Sequence, residues 1–285
     1  MKPADISFSK IHLMQHLLDD NDALIRHVVR ALYMLNNRET FFPPEGINFP
    51  TSSSVLFLLG RQPDTAQPCL ILNKRSLSVR QPGDLCCPGG SISPRIDAFY
   101  AKLLRLPVSL LARWPYWARW CRRNSHAAQL LAIILATGLR ESFEEMRLNP
   151  LGLKFLGLLP PQSLVMFDRV IYPLVAWVNR QRRFYPNWEV EKIVSIPLSE
   201  LLKSDNYARY RLQMGTVSNP KQALHASDFP CFCHKYKNGT EVLWGATYQM
   251  TTVFLKSIFD FYPPDLTSLP VIHGTLDDNY LTGKR

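Results

Sequence analysis

Arg140-Glu141-Ser142-Phe143-Glu144-Glu145 follows directly on the apolar run Ala127 to Leu139, so the two stretches read as one buried helix that ends in charge. On a helix the glutamates, at i, i+3 and i+4, share one face. Like charges at i, i+4 repel, and carboxylates near a helix C-terminus oppose the macrodipole, each by roughly a few tenths of a kcal/mol. Penalties of that size do not forbid the helix. A hard cation among the carboxylates would remove them, and Mg²⁺ takes oxygen ligands while also holding substrate phosphates. Taken alone, the hexapeptide is equally well explained as a solvated helix end. A second stretch gives it a partner. It is Arg75-Ser76-Leu77-Ser78-Val79-Arg80-Gln81-Pro82-Gly83-Asp84-Leu85-Cys86-Cys87-Pro88-Gly89-Gly90, of which Arg80 to Gly90 is rich in Gly and Pro and reads as a loop. Gly89 and Gly90 allow close backbone approach to a ligand, and exposed loop N–H groups can hold anionic oxygen. Arg75 and Arg80 can make charge-assisted bonds to phosphate.

The composition sets the frame. The chain has 285 residues, 46% of them hydrophobic and 20% charged, which is ample for a core in one large domain or two small ones. A formal net charge of +10 favours anionic partners: phosphorylated metabolites, nucleic acid or an anionic membrane. Of the six cysteines, Cys86-Cys87 are adjacent and Cys231 and Cys233 are two apart, which is poor bridge geometry. The Cys-x-Cys pair has no second set for zinc, although His225 and His234 are near, and apolar packing of reduced thiols is the better reading. Met1-Lys2-Pro3-Ala4-Asp5 has no apolar run behind it and Thr282-Gly283-Lys284-Arg285 carries no receptor-read address, so a cytoplasmic protein is expected.

Along the chain, residues 6–36 read as helices. Ile11, Leu13, Met14, Leu17 and Leu18 form one apolar face, and Asn21 or Asp22 caps a second helix carrying Leu24, Ile25, Val28, Val29, Leu32 and Leu35. Pro43-Pro44-Glu45-Gly46 breaks regular structure. Val55–Leu59 and Cys69–Leu72 read as a strand pair. After the acidic helix, which Asn149-Pro150 closes, Leu153–Leu159 and Val170–Val178 read as strands. The second is almost continuously apolar and so buried on both faces, while Pro173 argues for an edge or a bulge. Glu189–Ile196 partly alternates as a half-buried strand, and Pro197 opens a short helix. Cys231–Tyr236 and Glu241–Trp244 flank Asn238-Gly239, a hairpin signal, and Gly245 to Phe259 forms the last amphipathic helix. The tail after Pro263-Pro264 is expected to be loosely held. The chain has no internal repeat.

From Ala98 to Leu139 there is no acidic residue. Lys102, Arg105, Arg113, Arg119, Arg122 and Arg123 alternate with leucines, Trp114, Tyr116, Trp117 and Trp120, and Pro107 and Pro115 allow only short helices. Arginines interrupt every long apolar run, so this is not a membrane span. It reads either as a helical piece packed on the core with its arginines solvated, or as a surface for an anionic membrane or an acyl chain. A nucleic-acid role is disfavoured.

Together these motifs resemble the Nudix hydrolases, with Pro88-Gly89-Gly90 and Arg140-Glu141-x-x-Glu144-Glu145 standing as the two halves of a Nudix box. More narrowly, Arg75-Ser76, Arg80, Gly83 and Pro88-Gly89-Gly90 resemble the segment that precedes the box in the coenzyme A diphosphatase branch. Leu158-Leu159-Pro160-Pro161, Trp188-Glu189-Val190-Glu191 with Ile196-Pro197-Leu198, and Trp244-Gly245-Ala246-Thr247 resemble that branch's downstream signatures. The likeness covers about residues 51–260. It implies an α/β fold, a Nudix-type α/β/α sandwich with a mixed sheet. Residues 1–50 would be an N-terminal helical extension, 51–262 the hydrolase domain with a basic insertion at 98–131, and 263–285 a C-terminal tail. The sequence departs from the branch in four places, one of them the loop between Arg80 and Gly83, which is one residue short. The box is split by that insertion, Arg147 stands where a small glycine is expected after the glutamates, and Cys87 replaces an aromatic. Asp97 stands near the place of a box acidic residue.

The resemblance implies Mg²⁺- or Mn²⁺-dependent hydrolysis of a nucleoside diphosphate linked to another moiety. The substrate would be coenzyme A or an acyl-CoA, giving 3′,5′-ADP and 4′-phosphopantetheine or its acyl form. Glu141, Glu144 and Glu145 would be metal ligands, Arg140 would orient a box glutamate, and Glu189 would add a ligand or base. Gly89 and Gly90 would let the loop backbone approach phosphate, and Arg75 and Arg80 would grip further phosphates. The alternatives are a hydrolase of lipid-linked diphosphates that touches a membrane peripherally through residues 98–125, and a catalytically weak Nudix-fold binding module. A homodimer is compatible with any of these.

Overall fold

The apolar run at Val55–Leu59 becomes the middle of a strand flanked by layers on both faces. The computed structural model describes residues 3–38, 41–42, 46–164, 168–214, 225–237, 239–276 and 280. In chain order the elements are α1 (Pro3–Asp19), α2 (Asn21–Arg38), β1 (Ser52–Arg61), β2 (Pro68–Arg75), β3 (Leu85–Cys86), β4 (Gly89–Ser91) and α3 (Pro94–Leu104). Then come α4 (Trp117–Arg123), α5 (Ser125–Met146), β5 (Leu153–Leu158), β6 (Gln162–Leu164), β7 (Arg169–Val178), β8 (Val190–Pro197) and α6 (Leu198–Leu201). The last are β9 (Tyr207–Met214), β10 (His225–Tyr236), β11 (Gly239–Leu243), α7 (Gly245–Phe259) and β12 (Val271–Leu276).

Among the described residues, one mixed sheet runs β3-β2-β1-β7-β5, with β8 on β2, β4 on β1 and β6 on β7. Only β1 and β7 pair in parallel within it. Alternation along the inner strands feeds two cores. Leu56 and Leu58 of β1, with Leu174 and Ala176 of β7, pack on one face with α5 residues such as Leu131, Ile134 and Leu135. Phe57 and Leu59, with Val175 and Trp177, pack on the other face with Leu24, Val28 and Leu32 of α2 and Phe254 of α7. This is a mixed α/β fold with a sheet between helical layers. Nearly continuous apolar strands are what a sheet buried on both faces requires. A second, four-stranded sheet runs β11-β10-β9-β12, with β12 parallel to β9.

Several expectations are corrected. Asp20 caps α2, one residue earlier than expected: its Oδ1 accepts from the backbone N–H of Asp22 and of Ala23 at 2.8 and 3.0 Å. Pro173 sits in an inner strand, opposite Val55 of β1. Its carbonyl accepts from Leu159 N–H at 3.0 Å, so its missing donor faces the gap between β5 and β6, where no ladder bond is lost. The tail is not loose throughout, because Val271–Leu276 pairs residue for residue with β9. The strand Tyr207–Met214 was not foreseen, and β10 begins at His225 rather than at Cys231. Pro43, Pro44, Glu45 and Asn238 lie outside the described residues.

The basic, Trp-rich segment packs inward. Trp114 and Trp117 are buried, Tyr116 stacks on Tyr33 of α2 at 3.6 Å, and Trp114 meets Phe155 of β5 edge-on at 5.2 Å. The helical, core-packed reading describes these rings, and Arg113 and Arg119 are solvated. Among the described residues no helix is long and apolar enough to cross a membrane.

Candidate active site

The site is built where α5 passes over the loop that ends β3 and begins β4. α5 starts at a capped end, since Asn124 Oδ1 accepts from Ala127 N–H at 2.9 Å. It is tied to β1 by Ser54, whose hydroxyl donates to the Ile134 carbonyl at 2.5 Å. It closes at Arg147 in the left-handed conformation (φ 55°), with Arg147 N–H on the Phe143 carbonyl and Leu148 N–H on the Ser142 carbonyl. The position that lacks the expected glycine therefore still adopts the glycine conformation, at about 1 kcal/mol of strain. The Arg147 guanidinium lies 5.0 Å from the Phe143 ring centroid, and the Arg147 carbonyl accepts from Gln181 Nε2 at 2.9 Å. Both contacts hold the turn in place.

The two stretches singled out in the sequence meet. A Cβ at Gly90 would lie 2.6 Å from Glu141 Cδ, so any other residue there would push this carboxylate from its place. Gly89, at φ +150°, would put a Cβ 2.2 Å from the Ser54 carbonyl oxygen of β1. Glu145 Oε2 accepts from Gly89 N–H at 3.2 Å and from Asn73 Nδ2 at 2.9 Å. Burial pushes the Glu145 carboxyl up to about 8, against the Gly89 hydrogen bond, and the charges of Glu141 and Glu189 push the same way. Burial also raises Glu141, with Arg140 opposing.

Arg140 lies among anions rather than in the cleft. Its Nε donates to Asp97 Oδ1 at 2.8 Å, one terminal nitrogen donates to Glu141 Oε1 at 2.8 Å, and the other donates to the Ser91 carbonyl at 3.1 Å. Asp97, on α3, is fully buried and also accepts from Ser93 N–H and the Thr137 hydroxyl, each at 2.7 Å. It thus fixes Arg140, which in turn holds Glu141, and burial pairs this acidic residue with its cation as physics requires.

Glu141 and Glu145 open into a cleft of about 1010 Å³, also lined by Arg75, Arg80, Glu189, Trp188 and Trp244. Gly89 and Gly90 form part of its floor. Glu144 is the exception. It is not among the lining residues; its carboxylate is 54% exposed and lies 3.5 Å from Arg140. The helical wheel explains this: relative to Glu141, Glu145 turns about 40° one way and Glu144 about 60° the other. Among the described residues no three His, Cys, Asp or Glu side chains gather closely enough to hold a metal ion. The donors at hand are oxygens, and the charges of Glu141 and Glu189 add to the cost of ionising Glu145, which a divalent cation would relieve. The donor chemistry fits a hard cation, with Glu141 and Glu145 placed for it and Glu144 turned aside.

Arg75 Nε donates to the Arg80 carbonyl at 2.7 Å, so the loop is closed on itself and both cations face the cleft. Sequence reasoning missed Asn73, whose buried Oδ1 has no partner among the described residues, and Arg169, which donates to the Ser53 and Ser91 hydroxyls at 3.1 and 2.6 Å. It also missed Asp84, which accepts from Trp244 Nε1 at 3.0 Å and from the Tyr280 hydroxyl at 2.5 Å and is raised by burial. An asparagine at the end of an apolar strand carries no signal of its own. Tyr280 reaches Asp84 from a tail that looked unstructured.

No family model matches the chain. Over 75 residues it is 37% identical to the uncharacterized Nudix hydrolase NudL of Pectobacterium atrosepticum, a stretch that spans 26% of this chain and 38% of that protein. Among solved structures, it is similar to the Nudix hydrolase RenU of M. smegmatis (12% identity, TM-score 0.35, 56% of this chain and 80% of that one). It is also similar to a NUDIX hydrolase from Alicyclobacillus acidocaldarius (17% identity, TM-score 0.35, 53% and 81%). The curated relative supports the Nudix hydrolase superfamily.

Proposed function

We propose that the chain is a Nudix-type diphosphatase that hydrolyses a nucleoside diphosphate linked to another moiety, with coenzyme A or an acyl-CoA as substrate and 3′,5′-ADP as one product. The observation that carries this reading is the convergence of Glu141 and Glu145 on Gly89 and Gly90 in the floor of one cleft that Arg75 and Arg80 also line. Glu141 and Glu145 would hold Mg²⁺ or Mn²⁺, with Glu144 joining after leaving Arg140. The metal, when bound, would neutralise diphosphate charge and activate water. Arg140, fixed by Asp97, keeps Glu141 aimed at Gly90. Asn73 and Gly89 N–H keep Glu145 in place. Glu189, which also lines the cleft, is the candidate to take a proton from the attacking water. Arg75 and Arg80 would bind the remaining phosphates of the substrate.

A substrate panel with the purified chain in Mg²⁺ and Mn²⁺ tests the reading: coenzyme A, acyl-CoAs, nucleotide sugars, dinucleoside polyphosphates and ADP-ribose. Preferential turnover of coenzyme A or an acyl-CoA is expected. Turnover of another member instead would replace the substrate, and no turnover of any would favour a binding module.

A further inference from the structure

α3 has a covered inner face and an apolar outer face that is left open. Asp97 and Ala101 are buried against the rest of the molecule. On the outer side Ile96, Phe99, Tyr100 and Leu103 are exposed, at 46–61%, and fall within an arc of about 100°. Leu106 and Val108 continue the patch past the helix end, with Val108 88% exposed. Phe99 and Tyr100 meet edge-on at 5.8 Å. Single exposed apolar side chains need no explanation, but a contiguous stripe with two aromatics at helical spacing does.

The charge around the stripe decides what it fits. Arg95, Lys102 and Arg105 flank it in solvent, and no acidic residue occurs from Ala98 to Leu139. Asp97, the one carboxylate on α3, is buried and neutralised by Arg140. A second copy of the chain docking through the same face would set cations against cations. Apolar side chains in the middle and cations at the border match a bilayer surface, where rings and leucines enter the acyl boundary and Lys and Arg meet anionic headgroups.

We propose that the outer face of α3, with Leu106 and Val108, docks on an anionic lipid surface. The docking face differs from the one suggested by tryptophan content: the Trp114–Trp120 rings serve the core, and the lipid contact falls on the helix before them. Ser91, three residues before Pro94 at the start of α3, lines the cleft. Docking would therefore hold the cleft's rim near the membrane, and Asp97 couples the docked helix to Arg140.

Co-sedimentation of the full chain with phosphatidylcholine vesicles, and with vesicles also containing phosphatidylserine, tests this without reference to hydrolysis. The wild type is expected to sediment with the anionic vesicles at low salt and at least tenfold less with the neutral ones. The double variant Phe99→Ser/Leu103→Ser and, separately, Lys102→Glu/Arg105→Glu should each lose at least tenfold in partitioning. All these side chains are solvent-exposed, so the melting temperatures should match the wild type and confirm folded protein. Wild type that stays in the supernatant at low salt overturns the proposal. So does a serine variant that sediments like wild type, or a wild-type dimer that this variant converts to monomer.

Discussion

Replacing Glu145 by Gln isolates the electrostatics of the site. In the folded chain, burial holds the Glu145 carboxyl near 8, against an ordinary value of 4.5. A folded value raised above the unfolded one means that the native state binds the extra proton between those limits. The associated stability is fully present below about pH 4.5 and is lost as pH rises towards 8. Each pH unit in that window costs roughly 1.4 kcal/mol, so the whole window is worth about 4 kcal/mol as an order of magnitude. Glutamine cannot ionise, keeps a carbonyl for the Gly89 N–H, and carries no such slope. Chemical denaturation of wild type and Glu145→Gln in EDTA at pH 5, 6, 7 and 8 should give similar stabilities at pH 5 and a variant several kcal/mol more stable at pH 8. Adding Mg²⁺ at pH 8 should restore much of the wild-type loss and do little for the variant. Parallel stability curves from pH 5 to 8 would refute the reasoning, because Glu145 would then be ionised in the folded, metal-free chain.

Asp97→Asn should lower stability by about 3 kcal/mol, since it leaves Arg140 largely buried beside a neutral group. It should also lower kcat for diphosphate hydrolysis, as Glu141 loses its fixed partner. Unchanged melting and kinetics would mean that α3 does not position Arg140. Trp114→Ala should cost about 3–5 kcal/mol, the range for emptying a buried aromatic site, as read by urea denaturation. A neutral effect would put Trp114 at the surface. Arg147→Gly should stabilise by about 0.5 kcal/mol, with relief of the left-handed strain exceeding the lost contact with Phe143. A lower melting temperature would contradict that balance.

The parts of the fold that were legible in the sequence are those set by local pattern. Gly245 to Phe259 was read to the residue, and the apolar runs at Val55 and Val170 became the paired centre of the sheet. The second sheet was largely invisible. Tyr207–Met214 mixes arginine and tyrosine without clean alternation, and Val271–Leu276 becomes a strand only by pairing with it from far along the chain. The carboxylate positions were legible because helix spacing fixes a face, but the same spacing left open which of Glu144 and Glu145 turns into the cleft. The loop and Asp97 decide that. The fate of the tryptophans was equally open, because arginines flank them on either reading, and the deciding partners, Tyr33 and Phe155, lie far off in sequence.

The most direct test of the central claim is the release of 3′,5′-ADP from coenzyme A by the full chain with Mg²⁺ or Mn²⁺, compared with EDTA and with Glu141→Gln and Glu145→Gln in the presence of metal. Metal-dependent release that falls by at least a hundredfold in both folded variants is the predicted result. Release that persists in EDTA, or that survives both substitutions, would contradict it.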